Sequence, residues 1–208
     1  MSSLKTTHRW AVAQQNPELE KELSAGLGIP GLVARIMVAH GIGSIKEGQL
    51  FLTPSLDRDW ADPLIIPGMS VVADRVERAI RNHEHIAVFG DFDVDGITST
   101  CLLTEALRTF GADVTPFIPQ RFDEGYGLSR AALDRVNELA RPQLIVTVDN
   151  GIAAKEEVSY LESLGIDLVV TDHHEPSDQV PQGVPLTDPK LEDEGPSREL
   201  AGAGVALK

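Results

Sequence analysis

The chain has 208 residues, 42% hydrophobic and 24% charged, which suits one sizeable domain with a small appendage and excludes wholesale disorder. A formal net charge of −14 excludes a general nucleic-acid-coating protein, because non-specific affinity for phosphates comes from Lys and Arg. The single cysteine, Cys101, excludes an intrachain disulfide, and no apolar run approaches the ~20 residues that span a bilayer, so a soluble cytoplasmic protein without membrane contact is expected.

Residues 1–69 carry short helical patterns at Pro17–Ala25, Pro30–His40 and Ser44–Phe51, broken by GLGIPG, GIG and the Pro/Asp-rich stretch LTPSLDRDWADPLIIPGMS. They read as a small helical segment ahead of a main domain over residues 70–208. From Ser70 the pattern becomes regular, with Val72, Val76, Ala79 and Ile80 marking a helical stripe. IAVFG (Ile86–Gly90) is a short apolar strand. Thr98–Phe110 reads as a helix with Ser99, Leu103, Ala106, Leu107 and Phe110 on one side, and Cys101 as a small buried residue within it. DVTPFIP is a second strand, placed near a sheet edge by its prolines. Ser129–Ala140 is a helix with Ser129 as N-cap, and LIVTV (Leu144–Val148) is a third strand. Ala153–Leu164 is a helix ending at Gly165, followed by DLVVT (Asp167–Thr171) as a fourth strand. Apolar strands without alternation, separated by helices of about 12 residues, predict an α/β fold: a doubly wound, mostly parallel sheet with helices on both faces.

Ligands of such sheets sit outside the carboxyl ends of the strands. Three of these strands run straight into polar residues there. The first meets GDFDVDG, with Asp91, Asp93 and Asp95. The third meets Asp149 and Asn150, and the fourth meets Asp172, His173 and His174. One Asp after a strand is ordinarily a cap or turn former, and one His pair is ordinarily solvated. Three clusters at three strand ends are not explained that way. Carboxylates suit hard cations and imidazole suits transition metals, so the mixed set points to Mn²⁺ or a similar ion. So many candidate ligands fit two ions roughly 3.5–4 Å apart, the arrangement that clamps a phosphoryl group and activates water. The ions' charge would offset the repulsion among the carboxylates. Asp93 and Asp95 rank ahead of Asp91 as ligands, and Gly96 is expected to let the chain turn sharply into the next helix. PQRFDEGYGLS (Pro119–Ser129) follows the second strand towards the same crevice. There Arg121 suits a phosphate, and the glycines flanking Tyr126, Gly125 and Gly127, let the backbone approach a ligand. His8, His40, His83 and His85 show no such convergence and are expected at the surface.

The order GDFDVDG, RFDEGYGLS, VTVDNGI and VVTDHHEP resembles the DHH phosphoesterase superfamily and, within it, the RecJ family of bacterial single-strand-specific DNA exonucleases. FLTPSL…DPLIIPGM and LAGAGVALK are similar to the segments that flank the core of that family. The resemblance implies a 5′-to-3′ exonuclease that hydrolyses single-stranded DNA from its 5′ end, in recombination and repair, with Mn²⁺ or Mg²⁺. It implies single-strand-binding protein and a RecQ-type helicase as partners. It also implies roles: Asp91 and Asp93 at one metal, Asp95 and His173 at the other, and Asp149 shared. His174 would contact the scissile phosphate and Asp172 would orient a histidine, so His174, Asp172 and Asp149 are the catalytic set. Arg121, Tyr126 and Gly127 would bind substrate along with His174. The resemblance further implies a ligand aspartate, a DHH-associated domain and an OB-fold downstream of Lys208, so this chain is expected to carry the N-terminal catalytic portion. Alternative readings are a small-substrate relative (an oligoribonuclease, a cyclic-dinucleotide phosphodiesterase or a pyrophosphatase) and a scaffold without chemistry.

Overall fold

The computed structural model describes residues 15–120 and 127–208. Contacts divide the chain into two compact units, Met1–Trp60 and Ala61–Lys208. The first is helical: α1 (Pro17–Leu27), α2 (Gly31–Ala39), α3 (Ile45–Leu52) and α4 (Leu56–Asp59). α1 and α3 start on local side-chain caps. Asn16 accepts a hydrogen bond from the Leu19 amide and Ser44 one from the Glu47 amide, both 3.2 Å, while Glu47 reaches back to the Gly43 amide at 2.8 Å.

The second unit is an α/β fold. Its elements are α5 (Met69–Arg81), β1 (His85–Phe89), α6 (Val94–Thr109), β2 (Asp113–Phe117), α7 (Arg130–Ala140), β3 (Leu144–Val148), α8 (Lys155–Leu164), β4 (Asp167–Thr171), β5 (Leu186–Thr187) and α9 (Gly202–Leu207). All strand pairs are parallel, in the order β2-β1-β3-β4-β5. The Pro-containing strand is therefore at an edge, as its sequence requires. Both faces are covered, which is why the central strands are apolar throughout. Ala87, Phe89, Ile145, Leu168 and Val170 point towards α7 and α8, where Leu133, Val136, Val158 and Leu161 meet them. Ile86, Val88, Val146, Val148 and Val169 point the other way, to Val72 and Ala79 of α5 and Leu107 of α6.

Three local expectations differ from the structure. The helix after β1 begins at Val94, not Thr98: Asp93 is its N-cap, accepting from the Gly96 amide at 2.9 Å. Asp95 is thus in the first turn of α6, where a carboxylate suits the helix dipole. Cys101 is exposed, and Phe110, at the C-cap of α6, is 73% exposed, because the buried side of the helix runs through Ser99, Thr100, Thr104 and Leu107. Gly96 is no turn residue but a buried point of close backbone contact within that helix. His40 and His83 are exposed as expected. His85 is half-buried, bridging Asp113 Oδ2 (2.7 Å) and Thr115 Oγ1 (3.0 Å) on the edge strand, and His8 lies outside the described residues.

Among the described residues no helix is long and apolar enough to cross a membrane.

Candidate metal centre

The sheet order creates a switch point. From β1 the chain moves outward to β2, then crosses back to β3 on the other side of β1. At such a point the connections diverge and leave a crevice at the carboxyl ends of the strands. The crevice here, about 540 Å³, is lined by Asp91, Gly127, Asp149, Asp172 and His174 among others. Its walls are tied together by polar bonds. Asn150 Nδ2 donates to the Val148 carbonyl at 3.0 Å and the Phe89 carbonyl at 3.4 Å, linking the ends of β3 and β1. Thr171 Oγ1 donates to the Thr147 carbonyl at 2.7 Å, linking β4 to β3.

Asp149 stands at the centre. Its backbone is left-handed (φ 60°), a conformation Asp tolerates better than most residues, and its side chain is buried. His173 Nε2 lies 2.9 Å from Asp149 Oδ1 and 3.4 Å from Asp95 Oδ2. The 2.9 Å approach is not aligned as a hydrogen bond, and Asp149 Oδ1 has no donor. Nor is the contact an ion pair. Burial pushes the Asp149 carboxyl up to about 7, assisted by the negative charges of Asp95 and Asp93. Burial, then the neighbouring His174, lowers His173, so both partners lean to their neutral forms.

His174 behaves in the opposite way. Its Nδ1 meets Asp172 Oδ1 at 2.7 Å, and that bond raises the imidazole to about 9. Burial alone would raise Asp172, but bonds from His174 and from the Ile152 (2.8 Å) and His173 (2.7 Å) amides outweigh it and hold the carboxyl low. A buried, ionised Asp172 thus keeps a protonated His174 at the crevice. Replacing Asp172→Asn removes that partner, so His174 is expected to titrate near the ordinary 6.5 instead of about 9, as read by NMR of the imidazole protons.

The sequence-expected residues fall into groups. His173 reaches both Asp95 and Asp149, and Asp172 and His174 form a pair beside them. Side-chain atoms of Asp149, His173 and His174 lie within 4.8 Å of one another; the Asp149 carboxylate and the His173 imidazole suit a divalent cation, while the protonated His174 stands beside them as a donor. The buried oxygen of Asp149 without a donor fits the same reading, since a cation would satisfy it. Asp91 reaches the crevice, with Oδ1 accepting from the Phe92 amide at 2.6 Å. Asp93 is committed through Oδ1 to its capping bond. Gly127 lines the crevice with φ 65°, whereas Arg121 and Tyr126 lie outside the described residues.

Sequence reasoning missed Asp188, at the end of β5. It is fully buried, its Oδ1 accepts from the Lys190 amide at 2.7 Å, and its Oδ2 has no donor. Burial, with Asp172 adding to it, pushes this carboxyl up to about 6. The available signal was the Asp-Pro step in LTDPK after the short stretch Val184–Thr187, the pattern of the other strand ends in miniature.

Known proteins share this arrangement. Residues 85–208 match the DHH family, N-terminal domain. The chain belongs to the DHH family. The single-stranded-DNA-specific exonuclease RecJ of Bacillus subtilis (strain 168) is 39% identical over 201 residues, covering 96% of this chain and 25% of that protein. The crystal structure of RecJ with Mn²⁺ from Thermus thermophilus superposes with a TM-score of 0.67 and 30% identity, over 94% of this chain and 26% of that one. A structure of exonuclease RecJ bound to manganese gives 0.63 and 37%, over 70% of this chain and 37% of that one. This DHH chain thus spans a quarter of the length of its Bacillus relative.

Proposed function

We propose that this chain is the catalytic portion of a metal-dependent phosphodiesterase, a 5′-to-3′ exonuclease on single-stranded DNA that works in recombination and repair. The observation that carries the reading is the donor-less, buried Asp149 Oδ1 surrounded by imidazoles and carboxylates at a switch-point crevice. The likeness to RecJ, including structures bound to manganese, supports single-stranded DNA as the substrate and Mn²⁺ as the metal. Mn²⁺ or Mg²⁺ would be held by Asp91, Asp93, Asp95, Asp149 and His173. When bound, the ions draw charge from the scissile phosphate and make an attacking water more acidic. The chain's own residues do the rest. His174, protonated against Asp172, donates to a phosphate oxygen, and Arg121, Tyr126 and Gly127 hold the strand. Such a site explains how a chain of charge −14 engages DNA: the cations and a few local groups supply the attraction. The RecJ likeness also makes single-strand-binding protein and a RecQ-type helicase the expected partners, in the cytoplasm.

Calorimetric titration of Mn²⁺ into the 208-residue chain tests the metal assignment. Saturable binding is expected, and at a hundred times Kd it should stabilise the fold by about 2.7 kcal/mol in chemical unfolding. No binding at millimolar Mn²⁺ would remove the metal centre. The substrate is tested in a chain as long as the relatives. Mononucleotides released from the 5′ end of long single strands support the proposal, whereas cleavage restricted to di- and trinucleotides indicates a small-substrate enzyme.

A further inference from the structure

The stretch between β5 and α9 brings two cations to the rim of the crevice. Asp188, fully buried at the end of β5, accepts from the Lys190 amide at 2.7 Å and so starts the short 3₁₀ turn Pro189–Leu191 that carries Lys190. Further along, the Arg198 amide donates to the Gly195 carbonyl at 3.2 Å and its Nη1 to the Glu192 carbonyl at 3.0 Å, which fixes both ends of that residue. The two side chains then face one oxygen of Glu175, the residue after His174. Lys190 Nζ lies 3.3 Å from Glu175 Oε1, and Arg198 Nη2 lies 3.8 Å from it. Glu175 lines the crevice together with His174. The Lys190 charge reaches further in. It acts against protonation of His173, which burial chiefly lowers, and of His174, which the bond to Asp172 chiefly raises.

These three partners are unequally held. The Lys190 and Arg198 side chains are 20% and 28% exposed, whereas that of Glu175 is 70% exposed. Neither contact is aligned as a hydrogen bond, and ion pairs of so exposed a carboxylate hold weakly against solvent. Glu192, Asp193 and Glu194, exposed on the same stretch, make no ion pair with either cation among the described residues. Two fixed cations thus converge on a place taken by a loosely held carboxylate oxygen. A phosphate oxygen matches that oxygen in charge and in accepting hydrogen bonds, and guanidinium and ammonium groups are its usual partners. We infer that Lys190 and Arg198 form a phosphate subsite at the rim of the metal centre, and that Glu175 holds the place until a phosphate displaces it. The pair puts positive charge on one side of an otherwise acidic crevice. That the phosphate belongs to a DNA strand rests on the nuclease reading; the subsite itself does not.

The test uses the 208-residue chain and inorganic phosphate, without metal. Phosphate is expected to shift the NMR signal of Arg198 Nε–H saturably and to leave that of Arg75, held by Asp167 at the amino end of β4, unmoved. Lys190→Gln should weaken the phosphate Kd about tenfold, the loss expected for one charge-assisted bond. Glu175→Gln should tighten it about threefold, because the competing carboxylate charge is gone. A salt bridge that only braces the loop predicts the opposite sign for Glu175→Gln. An unmoved Arg198 signal, a Lys190→Gln Kd within twofold of wild type, or weaker binding in Glu175→Gln would overturn the subsite. The strand is tested with a phosphorothioate oligothymidylate in Mn²⁺, where Lys190→Gln should weaken binding and lower the slope of log Kd against log salt by about 0.7. If phosphate behaves as expected while oligothymidylate binding ignores Lys190→Gln, the strand reading fails and the subsite stands.

Discussion

Asp149→Asn is expected to make the metal-free protein more stable at pH 8, by roughly 1–2 kcal/mol, while abolishing its response to Mn²⁺. The two effects share one cause. Asp149 is 2% exposed, its Oδ1 has no donor, and Asp93 and Asp95 add negative charge nearby. Its carboxyl is raised from 3.8 to about 7 in the folded state. Between those values the folded chain holds a proton that the unfolded chain has lost, so stability falls as pH rises from about 4 to about 7 and the full penalty stands at pH 8. The nominal shift corresponds to about 4 kcal/mol, an upper bound, because water penetration and adjustment of the other carboxylates reduce it. Asn does not ionise, and it tolerates the left-handed backbone at this position. Urea unfolding at pH 5 and pH 8 checks the sign: the gain should be larger at pH 8, where wild type carries the charge. Saturating Mn²⁺ should stabilise the wild type and leave the variant unmoved. Equal stabilisation of both proteins would take Asp149 out of the metal centre.

The sheet was readable because its information is local. β1, β3 and β4 are continuous apolar runs that end in Asp or His, and the carboxyl-end rule places those ends together before any contact is known. The elements that escaped are those whose cause is distant or whose length is small. β5 has two residues, too few for any periodicity, so Asp188 at its end went unnoticed. α9 is glycine-rich and has no side-chain cap at its start, and the acceptor for its second amide is 108 positions away in the chain. The start of α6 was hidden by composition. D-x-D-x-D followed by glycine reads as a loop, yet Asp93 caps the helix and Asp95 rides its first turn. For the same reason, the sequence could rank Asp93 and Asp95 ahead of Asp91 but could not show that two backbone amides of α9 donate to the Asp95 carboxylate. Cys101 was expected inside on residue type, whereas the phase of α6 puts it outside. DHH membership, by contrast, rests on short motifs in fixed order, which need no long-range packing to be seen.

Gly96→Ala is expected to cost ~2–4 kcal/mol of stability and to remove Mn²⁺ binding with it. Helix propensity alone predicts the reverse, because Ala is favoured over Gly in a helix by about 1 kcal/mol. Sterics decide. A Cβ at position 96 would lie 2.4 Å from the Asp91 carbonyl oxygen, 2.5 Å from its nitrogen and 2.6 Å from its carbonyl carbon. All three are backbone atoms, so no rotamer change relieves the clash. Nor can the strand end retreat. Gly90 is pressed against the same turn, where a Cβ would come within 1.9 Å of Thr100 Oγ1 and 2.7 Å of the Gly96 carbonyl oxygen. Thr100 in turn donates to that carbonyl at 2.7 Å. The two glycines thus lock the exit of β1 against the first turn of α6, and the lock sets where Asp91, Asp93 and Asp95 stand. A methyl group must push α6 away, breaking the Asp93 cap on the Gly96 amide and the hydrogen bond from the Gly202 amide to Asp95. Gly195→Ala provides the contrast: nothing lies within 4 Å of its Cβ and its backbone is not left-handed, so its stability should stay within about 0.5 kcal/mol of wild type. If Gly96→Ala unfolds at the same urea concentration as Gly195→Ala and still binds Mn²⁺, the close approach of strand and helix is not what holds the aspartates in place.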